Sequence, residues 1–194
     1  MSSRIVLASA SPRRRELLEQ IGLKFEVLPS LVSEEGQSLP PGEWAEHLAV
    51  CKAKDVAASL SGAGYVIGAD TIVVLDGVVY GKPTDNGDAC RMLTNLQGRK
   101  HEVLTGIAVV CIQDGAVRSG YETTTVEMRE LTFTEINTYV ETTEPMDKAG
   151  AYAIQGRGAV FIPKICGCYF NVVGLPLARL AKMLEDLGWS TDDV

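Results

Sequence analysis

Residues 65–75 read Tyr-Val-Ile-Gly-Ala-Asp-Thr-Ile-Val-Val-Leu, an apolar run that is interrupted by a single carboxylate and followed by Asp76-Gly77. Such a run predicts buried strand on either side of the carboxylate. The Asp-Gly dipeptide favours a tight hairpin turn into a further strand over residues 78–80. Asp70 is therefore predicted to lie inside strand structure, where an unpaired carboxylate would be costly to bury.

On both sides of this run, strand and helix patterns alternate, which predicts one mixed α/β domain. No stretch rich in Pro, Gly or Ser separates a second domain, so residues 1–194 are expected to form a single domain. The predicted strands cover residues 4–8, 24–28, 102–112, 117–128, 159–165 and 169–173, and the predicted helices cover residues 12–21, 43–60, 85–96, 134–140 and 175–187.

Composition excludes several classes of protein. The chain has 194 residues, a formal net charge of −7 and 46% hydrophobic residues, so it is expected to be folded and to bury a core. No apolar run is long enough for a transmembrane helix, and the first apolar run is too short for a signal peptide, so a cytoplasmic protein with reduced thiols is expected. The negative charge argues against broad binding to nucleic acid.

The charge is unevenly distributed along the chain. Residues 1–15 contain four arginines and no acid, and residues 148–184 contain five basic residues and no acid. One interpretation is chance clustering on solvated faces. The other is that folding brings the two segments together as a positive cleft for a small polyanion.

The first acid-free segment contains Ser9-Ala-Ser11-Pro12 followed by Arg13, Arg14 and Arg15. Ser11 and Pro12 favour a helix start after a strand, and the N–H groups at a helix start suit a phosphate. The alternative is an ordinary helix whose arginines face water. Consecutive helical residues point about 100° apart, so at least one arginine is expected to be structural.

Carboxylates supply the candidate metal ligands. Asp70 is interpreted as a metal ligand or a general base, and the alternative is an Asp that caps backbone N–H groups in a turn. Glu34 and Glu35 lie in a polar loop, and either could help to hold Mg²⁺, which prefers carboxylate oxygens. The alternative for both is a solvated acidic loop.

Two further single residues and one pair of lysines are candidates for binding a nucleotide. Lys82 precedes Pro83, which restricts its backbone and suits a phosphate-binding lysine, although a surface lysine is the alternative. Lys52 and Lys54 cannot share one helix face, so one of them could reach a site. Gln155 carries a donor and an acceptor that could read a base edge, or it could be structural.

Several motifs in this order resemble the Maf family of nucleoside triphosphate pyrophosphatases. They are Ser9-Ala-Ser-Pro-Arg-Arg14, the Glu34 loop, Lys52-Ala, Gly68-Ala-Asp-Thr71, Lys82-Pro83, Asp147-Lys-Ala-Gly-Ala-Tyr-Ala-Ile-Gln-Gly156 and Asn171-Val-Val-Gly-Leu-Pro176. The resemblance implies a mixed twisted sheet with flanking helices, of the inosine-triphosphatase (Maf/Ham1) type, with two lobes around a cleft. It also implies hydrolysis of a nucleoside triphosphate to the monophosphate and pyrophosphate with a divalent cation, Mg²⁺ or Mn²⁺.

Residue roles follow from the same resemblance. Asp70 matches the family's proton acceptor, and Arg13, Thr71 and Gln155 match positions tied to substrate choice, in a combination that resembles the branch acting on dTTP and UTP. The remaining matches to the family's site are Ser9, Arg14, Glu34, Lys52, Lys82 and Lys148. Lys82 and Glu34 are expected to act with Asp70 in catalysis, and Asp70 and Glu34 are the candidate metal ligands. The Cys166-Gly-Cys168 pair departs from the family pattern.

Other functions stay open on the sequence alone. The protein could bind nucleotides as a regulator of cell division or septum formation without turning them over, or it could act on another triphosphate. A nucleic-acid-binding module is a third alternative. The expected partner is a nucleoside triphosphate, with no nucleic acid or membrane, and a homodimer is left open.

Overall fold

The computed structural model describes residues 4–34 and 39–190. The chain forms two compact units, each built from separate stretches of sequence. The first unit combines residues up to Asp70 with Thr105–Glu122 and with residues from Gly174 onward. The second unit combines Thr71–Leu104 with Thr123–Val173. The prediction of a single domain without a separable linker stays a prediction.

Seven strands among the described residues form one mixed sheet. They are β1 Ile5–Leu7, β2 Glu26–Val27, β3 Tyr65–Leu75, β4 Val78–Tyr80, β5 Lys100–Cys111, β6 Val117–Glu127 and β7 Lys164–Cys166. Their order in the sheet is β2-β1-β3-β5-β6-β7, with β4 paired to β3. β1 is parallel to β2 and β3, whereas β4 is antiparallel to β3 and β7 is antiparallel to β6.

Six α-helices accompany the strands in the described part of the chain. They are α1 Pro12–Gln20, α2 Pro41–Ala57, α3 Asn86–Leu96, α4 Phe133–Glu141, α5 Tyr169–Val173 and α6 Leu177–Glu185. The mixed sheet with its helices confirms the predicted α/β class. No helix among residues 4–34 and 39–190 has the length and apolar character needed to cross a membrane.

In the first unit, helix α2 packs closely on strands β3 and β5. Its small residues Ala45, Ala49 and Ala53 are all fully buried and recur every four positions, so they share one helix face. A methyl group on Gly68 of β3 would overlap the carbonyl of Ala49, and a methyl group on Gly106 of β5 would overlap Ala45. Glycine at these two strand positions therefore permits the close approach of the helix.

The second unit has its own apolar core. Buried side chains from α3, α4 and the strand segments of this unit form one cluster, which includes Leu93, Leu96, Met128 and Tyr139. Helix α4 begins with a capping box, in which the Thr132 hydroxyl accepts from the N–H of Glu135 while the Glu135 carboxylate accepts from the N–H of Thr132. Thr132 is therefore the cap, directly before the first helical residue.

Two predicted strands are wrong. Residues 169–173 form helix α5, in which Asn171 is fully buried and donates from its side-chain amide to the carbonyl of Val103 and the hydroxyl of Thr124. These contacts outweigh the strand preference of a five-residue aromatic and β-branched run. Most of residues 159–165 is also not strand, since Gly156–Phe161 is a 3-10 helix and only Lys164–Cys166 joins the sheet.

Candidate active site

A buried ammonium joins two carboxylates in the first unit. Lys52 Nζ lies 2.6 Å from Oδ1 of Asp70 and 2.6 Å from Oε1 of Glu34. The side chains of Lys52 and Asp70 are each 9% exposed, whereas the side chain of Glu34 is 52% exposed. Two opposite charges held at hydrogen-bond distance offset much of the cost of burying either one. The cluster therefore places a buried carboxylate beside a second carboxylate that reaches solvent.

The close packing of helix α2 selects which lysine enters this cluster. Lys52 precedes the buried Ala53 and lies three residues after Ala49, on the face that contacts strand β3. Lys54 is exposed, as expected for a residue two positions further along a helix. Of the two candidate lysines, the structure therefore brings Lys52 to Asp70, which lies in the middle of the continuous strand β3.

Arg14 connects the start of helix α1 to two neighbouring segments. Its Nη1 donates to Oγ of Ser9 at 3.0 Å, and its Nε donates to the carbonyl oxygen of Gly174 at 2.8 Å. The hydroxyl of Ser9 also accepts from the N–H of Ser11 at 3.2 Å. Helix α1 starts at Pro12, as predicted, but the Ser11 side chain makes no capping hydrogen bond. Ser9 and Arg14 are thus held in a fixed geometry beside the helix start.

Arg14 interacts electrostatically with Asp70 and Glu34, the two carboxylates that contact Lys52. Burial lowers the pKa of the Arg14 guanidinium, the negative charges of Asp70 and Glu34 raise it, and the positive charge of Arg13 lowers it further. The net effect is a pKa below the ordinary value for arginine. Arg15 instead pairs with Glu19 across one helical turn at 3.4 Å. Arg14 and Arg15 therefore point in different directions, as their helical spacing predicts.

The carboxylates of Asp70 and Glu34 are the predicted donors for a divalent cation. No group of three or more His, Cys, Asp or Glu side chains in the described residues is placed to hold a metal ion. Mg²⁺ commonly uses only one or two protein carboxylates and takes its other oxygens from water and substrate phosphates. The two carboxylates that share Lys52 fit that pattern. Glu35, the other candidate, lies outside the described residues.

Lys148 and Gln155 are candidate residues of the second unit, in which Glu144 contacts Lys148 and the backbone that follows Gln155. Lys148 Nζ donates to the carbonyl oxygen of Glu144 at 2.6 Å and pairs with Oδ1 of Asp147 at 2.6 Å. Gln155 is half-buried and precedes the 3-10 helix Gly156–Phe161. The N–H groups of the next residues along that helix, Arg157 and Gly158, donate to the Glu144 carboxylate.

The remaining candidates of the second unit lie on or near strands β3 and β4. Thr71 follows Asp70 directly in strand β3 and is half-buried. Lys82 is exposed and lies two residues after Tyr80, the last residue of strand β4. Pro83, which follows it, is buried. That all these residues belong to one site stays a prediction from the sequence.

Three groups that position the candidate residues were not identified from the sequence. One is the carbonyl of Gly174, a backbone group that residue types cannot reveal. Another is the stripe of Ala45, Ala49 and Ala53, whose four-residue spacing opposite a strand glycine was a readable signal of close helix packing. The third is Glu144, which lies just before the second acid-free segment but was not selected.

Comparison with known proteins identifies the family. Residues 4–187 match the model of the family described as Maf-like protein. The chain is 51% identical to the dTTP/UTP pyrophosphatase of Acetivibrio thermocellus over 96% of each chain. It is 50% identical to the dTTP/UTP pyrophosphatase of Carboxydothermus hydrogenoformans, over 96% of this chain and 100% of that protein.

Solved structures with a similar backbone share little sequence with this chain. The Ham1 protein of Staphylococcus aureus has a TM-score of 0.47 at 17% identity, with 82% of this chain and 79% of that chain covered. A nucleoside-triphosphatase / dITP/XTP pyrophosphatase of Mycobacterium abscessus has a TM-score of 0.46 at 15% identity, with 95% and 98% covered. The family match spans nearly the whole sequence and agrees with relatives at half identity, so this chain belongs to the family of Maf-like proteins.

Proposed function

We propose that this protein hydrolyses dTTP and UTP to the nucleoside monophosphate and pyrophosphate. The observation that carries the proposal is the buried pair of Asp70 and Lys52, which is joined to Glu34 and lies in the field of Arg14. Relatives at about half identity over nearly the full chain are named for this activity, which supports the choice of substrate.

Asp70 is the proposed general base. Its carboxylate would take a proton from a water molecule whose oxygen attacks the α-phosphorus of the triphosphate. The bond between the α-phosphorus and the oxygen that bridges to the β-phosphorus then breaks, and pyrophosphate leaves. Lys52, which already contacts Asp70, would fix the orientation of this carboxylate. Glu34 reaches solvent and would act with Asp70 on the substrate side.

Cations would stabilise the charge that builds up on the leaving pyrophosphate. Arg14 is proposed for this role because its guanidinium is already oriented by Ser9 and Gly174. Lys82 and Lys148 are proposed as further phosphate ligands from the second unit. Lys148 is 13% exposed and fixed by two hydrogen bonds, whereas Lys82 is exposed and adaptable.

Base selection is assigned to three other residues. The Gln155 amide offers one donor group and one acceptor, which can match the edge of a pyrimidine. Thr71 adds a hydroxyl directly after the proposed base, and Arg13 adds a charge at the start of helix α1. Together these positions favour dTTP and UTP over other triphosphates in this proposal.

A divalent cation, Mg²⁺ or Mn²⁺, is part of the proposal. Asp70 and Glu34 would hold it together with substrate oxygens, and when bound it would neutralise triphosphate charge. The net charge of −7 supports a free nucleotide as the partner rather than nucleic acid. We also propose a cytoplasmic location, in keeping with the five cysteines expected to stay reduced.

The test is an assay of the Asp70→Asn variant for release of pyrophosphate from dTTP and UTP with added Mg²⁺. We expect turnover to fall at least 100-fold, since removal of a general base costs about 10²- to 10⁴-fold. Asp76→Asn is the matched control, because Asp76 is an exposed aspartate in the hairpin turn that follows the same strand. Near-normal turnover by folded Asp70→Asn would reject the role of Asp70. Nucleotide binding without turnover by the wild-type protein would favour the regulator instead.

A further inference from the structure

The Glu144 carboxylate binds three donors in the second unit. Its Oε1 accepts from the Tyr139 hydroxyl at 2.9 Å and from the N–H of Gly158 at 3.1 Å, and its Oε2 accepts from the N–H of Arg157 at 3.0 Å. These two N–H groups belong to the first turn of the 3-10 helix Gly156–Phe161, where backbone donors lack partners within the helix. Glu144 therefore caps that helix from a distant part of the sequence.

Neighbouring residues leave space for the Glu144 carboxylate and share its hydrogen bonds. A methyl group on Gly156 would lie 2.8 Å from Oε2 of Glu144, so glycine at this position leaves the space that the carboxylate occupies. Gly156 also has a φ of 68°, which other residues rarely adopt. The buried Tyr139 hydroxyl additionally accepts from the N–H of Ala153 at 3.1 Å. Glu144 and Tyr139 thus hold the chain on both sides of Gln155.

Glu144 is also connected to Lys148. The ammonium of Lys148 donates to the backbone carbonyl of Glu144 at 2.6 Å, and its positive charge lowers the pKa of the Glu144 carboxylate. Burial raises that pKa, but the N–H groups of Arg157 and Gly158, the Tyr139 hydroxyl and Lys148 outweigh burial. Glu144 is therefore an ionised group with two kinds of contact. Its carboxylate accepts from the backbone that follows Gln155, and its backbone carbonyl accepts from the Lys148 ammonium.

We propose that Glu144 is a positioning residue that fixes Gln155 for recognition of the pyrimidine base, with Tyr139 as its partner. The proposal rests on the proposed pyrophosphatase function, because Gln155 acts as a base reader only if the protein binds a nucleotide there. Glu144 acts through the backbone at Arg157 and Gly158. Its effect should therefore appear in substrate affinity and base selectivity more than in the chemical step.

The experiment measures kcat and KM for dTTP and dCTP with the full-length protein in Mg²⁺. The variants are Glu144→Gln, Gln155→Ala and the double variant, with Glu141→Gln as the matched control on the exposed end of helix α4. We expect Glu144→Gln to raise the KM for dTTP about tenfold, the loss of roughly one charge-assisted hydrogen bond, with a smaller change in kcat. The preference for dTTP over dCTP should fall about as much as it falls in Gln155→Ala.

The double variant separates positioning from a structural effect. If Glu144 acts through Gln155, adding Glu144→Gln to Gln155→Ala should change KM and selectivity by less than twofold. Multiplied effects in the double variant, unchanged selectivity in Gln155→Ala, or a Glu144→Gln variant that behaves like Glu141→Gln would each overturn the proposal. Wild-type protein that turns over no triphosphate would instead reject the proposed function, and this proposal would fall with it.

A second variant decides the case in which Glu144→Gln does not fold. Tyr139→Phe removes one donor to Glu144 and keeps the ring that packs against Phe161. We expect it to raise the KM for dTTP about tenfold and to lower selectivity in the same direction, since it removes the charge-assisted hydrogen bond to the Glu144 carboxylate and the acceptor of the Ala153 N–H. Wild-type KM and selectivity in folded Tyr139→Phe would overturn the proposal.

Discussion

Replacing Lys52 with Met tests the buried charge cluster most directly. Met keeps an unbranched apolar stem but removes the ammonium that contacts Asp70 and Glu34 at 2.6 Å. Removing one partner of a buried ion pair costs about 3 to 5 kcal/mol, because the other charge stays buried. Arg14 remains as a positive charge in the field of Asp70, which places the expected loss of unfolding free energy at the lower end, about 3 kcal/mol.

The two carboxylates should contribute unequally to this loss. The side chain of Asp70 is 9% exposed and that of Glu34 is 52% exposed, so solvent screens the Glu34 interaction. A pair involving such an exposed group adds at most about 1 kcal/mol. Replacing Asp70 with Asn as well should therefore restore most of the unfolding free energy that Lys52→Met loses. We expect Lys52→Met combined with Asp70→Asn to be about 2 kcal/mol more stable than the sum of the single changes predicts.

Urea unfolding at pH 7 measures these differences in unfolding free energy. Lys54→Met is the matched control, because Lys54 is exposed on the same helix and should change stability by less than about 0.5 kcal/mol. If Lys52→Met loses no more stability than Lys54→Met, the ammonium does not hold the cluster together. Strictly additive losses from Lys52→Met and Asp70→Asn would likewise show that the two groups are not paired in solution.

Two other features of the packing lead to measurable effects. Gly68→Ala should lower the unfolding free energy by about 1 to 3 kcal/mol, because the new methyl group overlaps the carbonyl of Ala49. Gly81→Ala is the control in the same urea experiment. A methyl group at Gly81 has open space around it and should cost less than about 1 kcal/mol. Burial lowers the pKa of His101 to about 4, so the unfolded chain binds a proton below about pH 6.5 that the folded protein excludes. His101 should therefore cost about 2 kcal/mol of stability between pH 7 and pH 5, and a His101→Gln variant with the same decline as wild type would refute this.

The local patterns of the sequence predicted most of the sheet. The apolar run around Asp70 and the Asp76-Gly77 turn specify strand and turn within a few residues, so they are readable without tertiary information. Residues 169–173 were misread because their helix depends on buried contacts of Asn171 with Val103 and Thr124, far away in sequence. A short apolar run is compatible with either structure until such contacts are known.

The site was predictable where one residue conflicted with its surroundings. Asp70 could be selected because a carboxylate in an apolar run needs a partner. The residue pattern left Lys52 and Lys54 as alternatives, since the choice depends on how far helix α2 approaches strand β3, and only the resemblance to the Maf family selected Lys52. Glu144 was missed for a related reason: it acts on backbone N–H groups 13 and 14 residues later, and side-chain types carry no trace of such contacts.

The two acid-free segments, which suggested a polyanion site, supply only part of the charge around Lys52, Asp70 and Glu34. Its central ammonium, Lys52, comes from the acidic middle of the chain, and Arg14 from the first acid-free segment is committed to Ser9 and to the Gly174 carbonyl. Lys52, Arg14 and its neighbour Arg13 carry three positive charges against the two carboxylates, so these five groups sum to a formal charge of only one. A triphosphate carries several negative charges, and so small an excess would attract it weakly. The cluster therefore suits a nucleotide that arrives with a divalent cation, to which the same two carboxylates could contribute oxygens.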